Sequence, residues 1–251
     1  MERDTRIGGN RDRFPETRRS AVRRAADADP EVRARALDTL IAAYWKPVYK
    51  HLRIGWKASN EEAKDWTQGF FARCLEKGQI EKYDPARGTF RAYLRLAADS
   101  YVSNERKAAG RLKRGGDVAF VPLDFETAEG EIRQHPPSDD LSAEQQFDQE
   151  WTRTLFQLSH SALAAALRAE GKEVHLALFE RYDLEADGPA PRPTYQELAT
   201  AHAIPVTQVT NYLSATRRRF REIVLRTLRE ITGSEVEFAE EARRLLGIDP
   251  T

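Results

Sequence analysis

Apolar residues in this chain recur three and four positions apart in one segment after another, and nowhere do they alternate over a run long enough for a strand. A period of 3.6 residues gathers side chains on one face of a helix, whereas a sheet face needs a period of two. The expected fold class is therefore all-α. Residues 33–53 carry Leu37, Leu40, Ile41, Tyr44, Trp45, Val48 and Leu52 as one stripe, although Pro47 is expected to end or kink that helix near Trp45. Ser59 is a suitable N-cap for a helix over 60–77, which packs Ala63, Trp66, Phe70 and Cys74 on one side, with Phe71 and Leu75 widening the face. Residues 83–88, Tyr-Asp-Pro-Ala-Arg-Gly, are turn chemistry. A third helix over 89–107 is expected to bury Phe90, Tyr93, Leu94, Ala97 and Tyr101 and to carry Arg91, Arg95, Val102 and Arg106 on its other face.

The pattern then changes. From 110 to 149, glycines, prolines and scattered acids leave too few periodic apolar positions for a core, which predicts a flexible acidic linker. Helical periodicity resumes near Phe147 and runs through Trp151, Leu155, Leu158 and Leu163 to Leu167, then again over 173–182. Past a Pro-rich loop at 187–193, residues 194–221 read TYQELATAHAIPVTQVTNYLSATRRRFR. Thr194 and Glu197 form a capping box, and Tyr195, Leu198, Ala199 and His202 share one stripe. After a break at Ala203-Ile204-Pro205, Val209, Leu213, Thr216, Phe220 and Ile223 keep a second stripe, with Thr207, Asn211, Ser214 and Arg218 opposite. This is a helix-turn-helix pattern whose second helix carries small polar groups first and arginines later, the order that reads base edges and then neutralises phosphates. If Ala203 takes a positive φ, it costs up to about 1 kcal/mol. The tail after Ile231 has the pattern of a short amphipathic helix, with Val236, Phe238, Ala242 and Leu245 or Leu246.

Charge sharpens this division. The 251 residues hold 40 basic and 40 acidic side chains, a formal net charge of zero that by itself argues against a nucleic-acid partner. The average conceals segregation: eight Arg or Lys against three acids over 84–114, six Arg against Glu222 over 206–229, and nine acids against Arg133 over 124–150. The single cysteine, Cys74, excludes an internal disulfide framework and fits a cytoplasmic location. No apolar run reaches the length of a membrane span, and the N-terminus has no apolar segment behind its positive charge, so neither a membrane nor secretion is expected. The histidines at 51, 135, 160, 175 and 202 have no metal spacing, and no catalytic constellation is seen. No cofactor, metal or enzymatic activity is expected.

In this order, three helices with an aromatic and basic third, an acidic linker and a helix-turn-helix resemble an extracytoplasmic function (ECF) RNA polymerase sigma factor. The most specific pieces are Glu61-Glu62-Ala63-Lys64-Asp65-Trp66-Thr67-Gln68, Tyr83-Asp84-Pro85 and Arg87-Gly88-Thr89-Phe90-Arg91-Ala92-Tyr93-Leu94, with Tyr195 to Ala199, Ile204-Pro205-Val206 and Arg217-Arg218-Arg219 following in the last part. The resemblance implies an N-terminal extension over 1–29, region 2 over 30–110, a linker over 111–147, region 4 over 148–230 and a C-terminal extension over 231–251. It implies two helical domains, core RNA polymerase (the β′ clamp helices and the β flap) and promoter DNA as partners, and transcription initiation as the role. Polymerase contact then falls to Glu61, Glu62, Asp65, Trp66 and Gln68. The minus-10 element falls to Tyr83, Arg91, Arg95, Ser100, Asn104, Arg106 and Lys107, and the minus-35 element to Thr207, Gln208, Thr210, Asn211, Ser214, Arg217, Arg218 and Arg221. Tyr83 as a loop aromatic serves either base capture or the core, and both readings stand.

Departures from the family sit at functional positions. Lys64 and Gly69 stand where relatives carry acids, which is expected to weaken docking on polymerase; either Trp66 and Phe70 carry that interface, the favoured reading, or phosphorylation of Thr67 or Ser59 by a kinase restores the charge. An anti-sigma factor is a further partner left open. The alternative is a freestanding dimeric helix-turn-helix regulator, which leaves 30–110 unexplained. A nuclease would need a metal-binding acid cluster that the sequence does not offer.

Overall fold

The computed structural model describes residues 20–109, 123–136, 140–185 and 191–249, and all regular structure among them is helical. A short α1 (Ala21–Arg24) precedes α2 (Pro30–Gly55), which opens with proline at its first position and with Asp29 accepting hydrogen bonds from the backbone N–H groups of Glu31 and Val32. Contrary to expectation, α2 runs unbroken through Pro47. An interior proline costs about 3 kcal/mol. That cost is outweighed because α2 is the central helix, buried at every position from Lys46 to Leu52 around the proline. Helix α3 (Asn60–Lys77) starts at Ser59 in a capping box with Glu62 and stops at Gly78, whose φ of 55° is the left-handed conformation glycine adopts without a Cβ clash.

Helix α4 (Phe90–Ala109) buries Phe90, Leu94, Ala97 and Ala98. Val102 is fully buried as well, not beside the arginines, because Leu94, Ala98 and Val102 follow one another at four-residue intervals on the core side. Within the expected linker lies α5 (Phe125–Gln134), packed on α2: Phe125 sets its edge against Trp45, 5.5 Å between ring centres, and lies 5.1 Å from Tyr49. Two of its three acids are engaged. Glu129 accepts from the Tyr49 hydroxyl at 2.8 Å and from Arg53, and Glu131 accepts from Lys46 at 2.8 Å and Lys50 at 2.6 Å. Residues 111–122 and 137–139 of the linker lie outside the described residues. Helix α6 (Ala143–Ala169) begins earlier than the expected Phe147, at a capping box between Ser142 and Gln145.

Helix α7 (Glu173–Phe179) continues into a π-helical turn over Glu180–Leu184, and α8 (Tyr195–Ala201), α9 (Val206–Ile231) and α10 (Glu235–Leu246) complete the chain. One hydrophobic core joins α2, α3 and α4 with Phe147, Trp151 and Leu155 of α6, Val224, Leu228 and Ile231 of α9, and Phe238 and Ala242 of α10. The boundary expected at residue 148 therefore runs through a shared interior. The buried Tyr44 hydroxyl of α2 donates to the Ile231 carbonyl at 3.0 Å, and Arg24 of α1 pairs with Glu230 of α9. A separate small core of Leu178, Leu198, Ala199, Val209 and Leu213 holds the helix-turn-helix. No helix among the described residues is long and apolar enough to cross a membrane.

In the tail, Phe238 and Ala242 are buried as expected, while Val236 is exposed. Truncating a buried aromatic ring costs about 3–5 kcal/mol. Phe238→Ala is therefore expected to lower unfolding free energy by about 3 kcal/mol or more, read by chemical denaturation; a loss below about 1 kcal/mol would mean that α10 is not part of the core.

Candidate nucleic-acid interface

The helix-turn-helix is built as its sequence implies. The Thr194 hydroxyl accepts from the Glu197 N–H at 3.2 Å, and the Glu197 carboxylate accepts from the Thr194 N–H at 2.7 Å, which closes the start of α8. Ala203 has φ 52°, so the turn does take the strained left-handed conformation in a residue with a Cβ. Val209, Leu213 and Thr216 anchor α9, which leaves Thr207, Gln208, Thr210, Asn211, Ser214, Arg218 and Arg221 exposed along one continuous face. Tyr212 is turned aside, stacked on His175 at 3.8 Å between ring centres, and its hydroxyl donates to Gln208 at 3.3 Å. Burial against this ring depresses the His175 pKa, so the stack holds a neutral imidazole.

Two of the arginines in this run are structural. Arg217 reaches both oxygens of Asp183 at 2.8 Å and lies over the Tyr182 ring. That bidentate pair raises its pKa and points it away from the exposed face. Arg219 pairs with Glu170, and together with Lys172 it holds that carboxyl down to about 2. In the sequence Arg217, Arg218 and Arg219 are indistinguishable; which of them is free depends on acids brought up from the end of α7 and the loop before it.

The second basic surface lies on α4 and is largely occupied. The Arg91 side chain, 11% exposed, donates from Nε to Asp148 of α6 at 2.8 Å, pairs with Glu241 of α10, and lies over the Trp151 ring at 4.8 Å. Burial works against its charge, but Glu241 and Asp148 more than compensate and raise its pKa. Arg95 pairs with Glu144 of α6 at 3.1 Å and, more loosely, with Asp99. Tyr83 packs edge-on to Phe90 at 5.2 Å and against Tyr93, and its hydroxyl donates to the Gly88 carbonyl at 2.9 Å. Gly233, just before α10, lies so close to that ring that a Cβ would sit 2.2 Å from it. Of the two readings of Tyr83, this conformation realises the packing one.

Glu237 of α10 completes the cover. Its carboxylate accepts from the backbone N–H of Phe90 at 3.0 Å and of Gly233 at 2.8 Å, and it stands 3.4 Å from the Tyr83 hydroxyl oxygen, whose proton is shared with the nearer Gly88 carbonyl. Burial raises the Glu237 pKa, and the two backbone donors and Arg91 only partly offset this. Glu144, Asp148, Glu237 and Glu241 were not singled out from sequence. The signal available was weak: Glu237 and Glu241 flank Phe238 and Ala242 in one helical stripe, which places two acids beside the buried face of an amphipathic tail. Farther along α4 the surface is open. Ser100, Asn104 and Lys107 are exposed, and Arg106 rests over Trp56 and Trp66 at 5.0 and 5.1 Å. Ser100 and Asn104 line both a hollow beside Trp56 and Asp99 and a cleft with Phe70, Arg73 and Tyr101.

On α3, Glu61 and Asp65 are exposed, Glu62 is spent on the Ser59 cap, and Trp66 and Gln68 are half-buried. Lys64 pairs with Glu61 at 3.0 Å. Thr67 is fully buried with its hydroxyl donating to the Ala63 carbonyl at 2.7 Å, so in this conformation it offers no hydroxyl for phosphorylation; Ser59 remains exposed but serves as the N-cap. Gly69 has a packing reason: a Cβ there would stand 2.2 Å from the Tyr101 hydroxyl. Among the described residues no group of His, Cys, Asp or Glu is arranged to hold a metal, and burial pushes the Cys74 thiol up to about 12, which leaves it unreactive.

The Gly69 contact is testable by a double-mutant cycle. Gly69→Ala is expected to destabilise the wild-type chain by about 1–3 kcal/mol and to be neutral or stabilising when Tyr101→Phe removes the hydroxyl, because alanine is the better helix former. Equal effects in the two backgrounds would remove the steric explanation. Comparison with known protein families, with curated proteins and with solved structures finds no match to this chain.

Proposed function

We propose that this protein is an ECF-type sigma factor: a non-enzymatic subunit that joins core RNA polymerase, reads a two-part promoter and holds the opened strand. The observation that carries this reading is that one chain presents two cation-bearing helical faces of different character. The face on α9 is polar at its start and cationic later, suited to base edges and phosphates of duplex DNA. The face on α4 sets Arg106 over Trp56 and Trp66, with the exposed Asn104 and Lys107 on the same helix, which is the combination that holds single-stranded bases and backbone. The sequence resemblance in both segments supports assigning α9 to the minus-35 element and α4 to the minus-10 strand.

Polymerase docking falls to the exposed side of α3. Lys64 neutralises Glu61 locally, so the charge left for a basic partner there is chiefly that of Asp65. A contact with fewer rim charges depends more on Trp66 and less on electrostatic steering. Chemistry stays with the polymerase, and no cofactor is called for.

The test is reconstitution: purified chain, core polymerase and a promoter library, with the transcripts sequenced. Core-dependent initiation at a shared two-part motif is the expected result; a palindromic footprint by the protein alone, without initiation, would favour the freestanding regulator. Within that assay Arg218→Ala is expected to cost about 1–3 kcal/mol in upstream-element binding, read by competition with duplex DNA. Arg95→Ala is expected to leave that binding unchanged and to impair strand opening, read by permanganate reactivity of unpaired thymines. Equal effects of the two on duplex binding alone would remove this division of labour.

A further inference from the structure

The strand-binding surface of α4 is not bare. Four carboxylates from two other helices stand on it: Glu237 and Glu241 of α10, Asp148 and Glu144 of α6. Each contacts a group that the proposed function gives to the opened strand. Glu241 and Asp148 share Arg91, Glu144 takes Arg95, and Glu237 takes the first backbone N–H of α4 and stands 3.4 Å from the Tyr83 hydroxyl. These partners are what a run of phosphates would engage, namely guanidinium groups and an N-terminal helix donor. Meanwhile Gly233 packs so closely against the Tyr83 ring that even a Cβ there would stand 2.2 Å from it.

We propose that α10, together with the start of α6, is a built-in acidic latch that occupies the strand-binding surface of α4, so that this surface opens only when α10 is displaced. The proposal rests on the sigma-factor reading and adds a regulatory step to it. The carboxylates hold the latch to the rail, while Phe238 and Ala242 hold it to the core. Among the described residues no carboxylate pairs with Arg218 or Arg221 on the exposed face of α9, so the latch acts on strand capture and leaves duplex recognition free.

The experiment uses the full chain. Asp148→Asn with Glu241→Gln removes both partners of Arg91, and Glu126→Gln with Glu240→Gln makes the same charge change at exposed positions. Binding to a single-stranded oligonucleotide of randomised sequence is measured with and without core polymerase, alongside hydrogen exchange of the α10 amides in the wild type. The latch predicts about tenfold tighter binding by the first variant, equivalent to about 1.4 kcal/mol, and no comparable gain in the control. It also predicts that α10 amides of the wild type lose protection when the oligonucleotide binds. Unchanged affinity in the first variant, with α10 still protected in the DNA-bound wild type, would overturn the latch while core-dependent transcription by both proteins left the sigma reading intact. If neither protein initiates transcription with core polymerase, the sigma reading fails and the latch with it.

Discussion

The guanidinium of Arg91 is the constraint from which most of the arrangement follows. A charge removed from water costs several kcal/mol unless opposite charges and hydrogen bonds meet it. Arg91 is met from two directions, by Asp148 of α6 and Glu241 of α10, with Trp151 beneath it. That requirement fixes the start of α6 against α4 and brings α10 across the end of α4. Once α10 is there, Glu237 falls opposite the N-terminus of α4, where its charge meets the positive end of the helix dipole, and Gly233 falls on Tyr83. The tail, the loop before α4 and the front of α6 are one connected unit through a single side chain.

A comparable logic governs the acidic segment. Lys46 and Lys50 of α2 are almost fully buried, which is tolerable only because Glu131 and Glu150 stand beside them. Glu129 serves Arg53 and Tyr49 in the same way. Glu129 and Glu131, two acids of the expected flexible linker, are counter-ions for the central helix. The net charge of zero thereby acquires a structural meaning, since much of the segregated charge in the sequence is matched within the folded chain. For this reason overall charge says little about nucleic-acid binding here; the informative quantity is which cations stay exposed without an acid partner among the described residues, such as Arg218 and Arg221 on α9.

What was legible in the sequence was local. The capping boxes at Ser59 and Thr194, the bounds of α3, the stripe of Val209, Leu213 and Thr216, and the positive φ at Ala203 depend on residues within a turn or two of one another. The features that were not legible depend on partners far away in the chain. Pro47 stays helical because of what surrounds α2, and α5 exists because Phe125 finds Trp45 and Tyr49. Arg217 leaves the reading face because Asp183 is within reach. Val102 is the exception, since its four-residue spacing from Leu94 and Ala98 was available and was outweighed by the neighbouring arginines. Of the α9 residues named from sequence, all but Arg217 lie exposed on one face, whereas the pairing of the α4 arginines depends on distant acids.

That difference bears on how the latch is balanced. Replacing carboxylates by phosphates around Arg91 and Arg95 exchanges one set of charge-assisted hydrogen bonds for another, so the electrostatic difference between closed and open states is small compared with either interaction alone. The balance is then set by apolar terms. Opening exposes Phe238 and Ala242 and uncovers Tyr83; capture of a strand returns stacking of about 1–3 kcal/mol per base. Burial of one phenyl side chain is of the same order, about 1.5–3 kcal/mol. Neither side wins by a wide margin, and a modest contact elsewhere suffices to tip the exchange. On the proposed sigma-factor reading, a polymerase surface that binds α3 only in the open arrangement would supply such a contact, because it would lower the free energy of that state alone. Under this reading the acids of the tail do not repel DNA so much as hold its place until the polymerase is present.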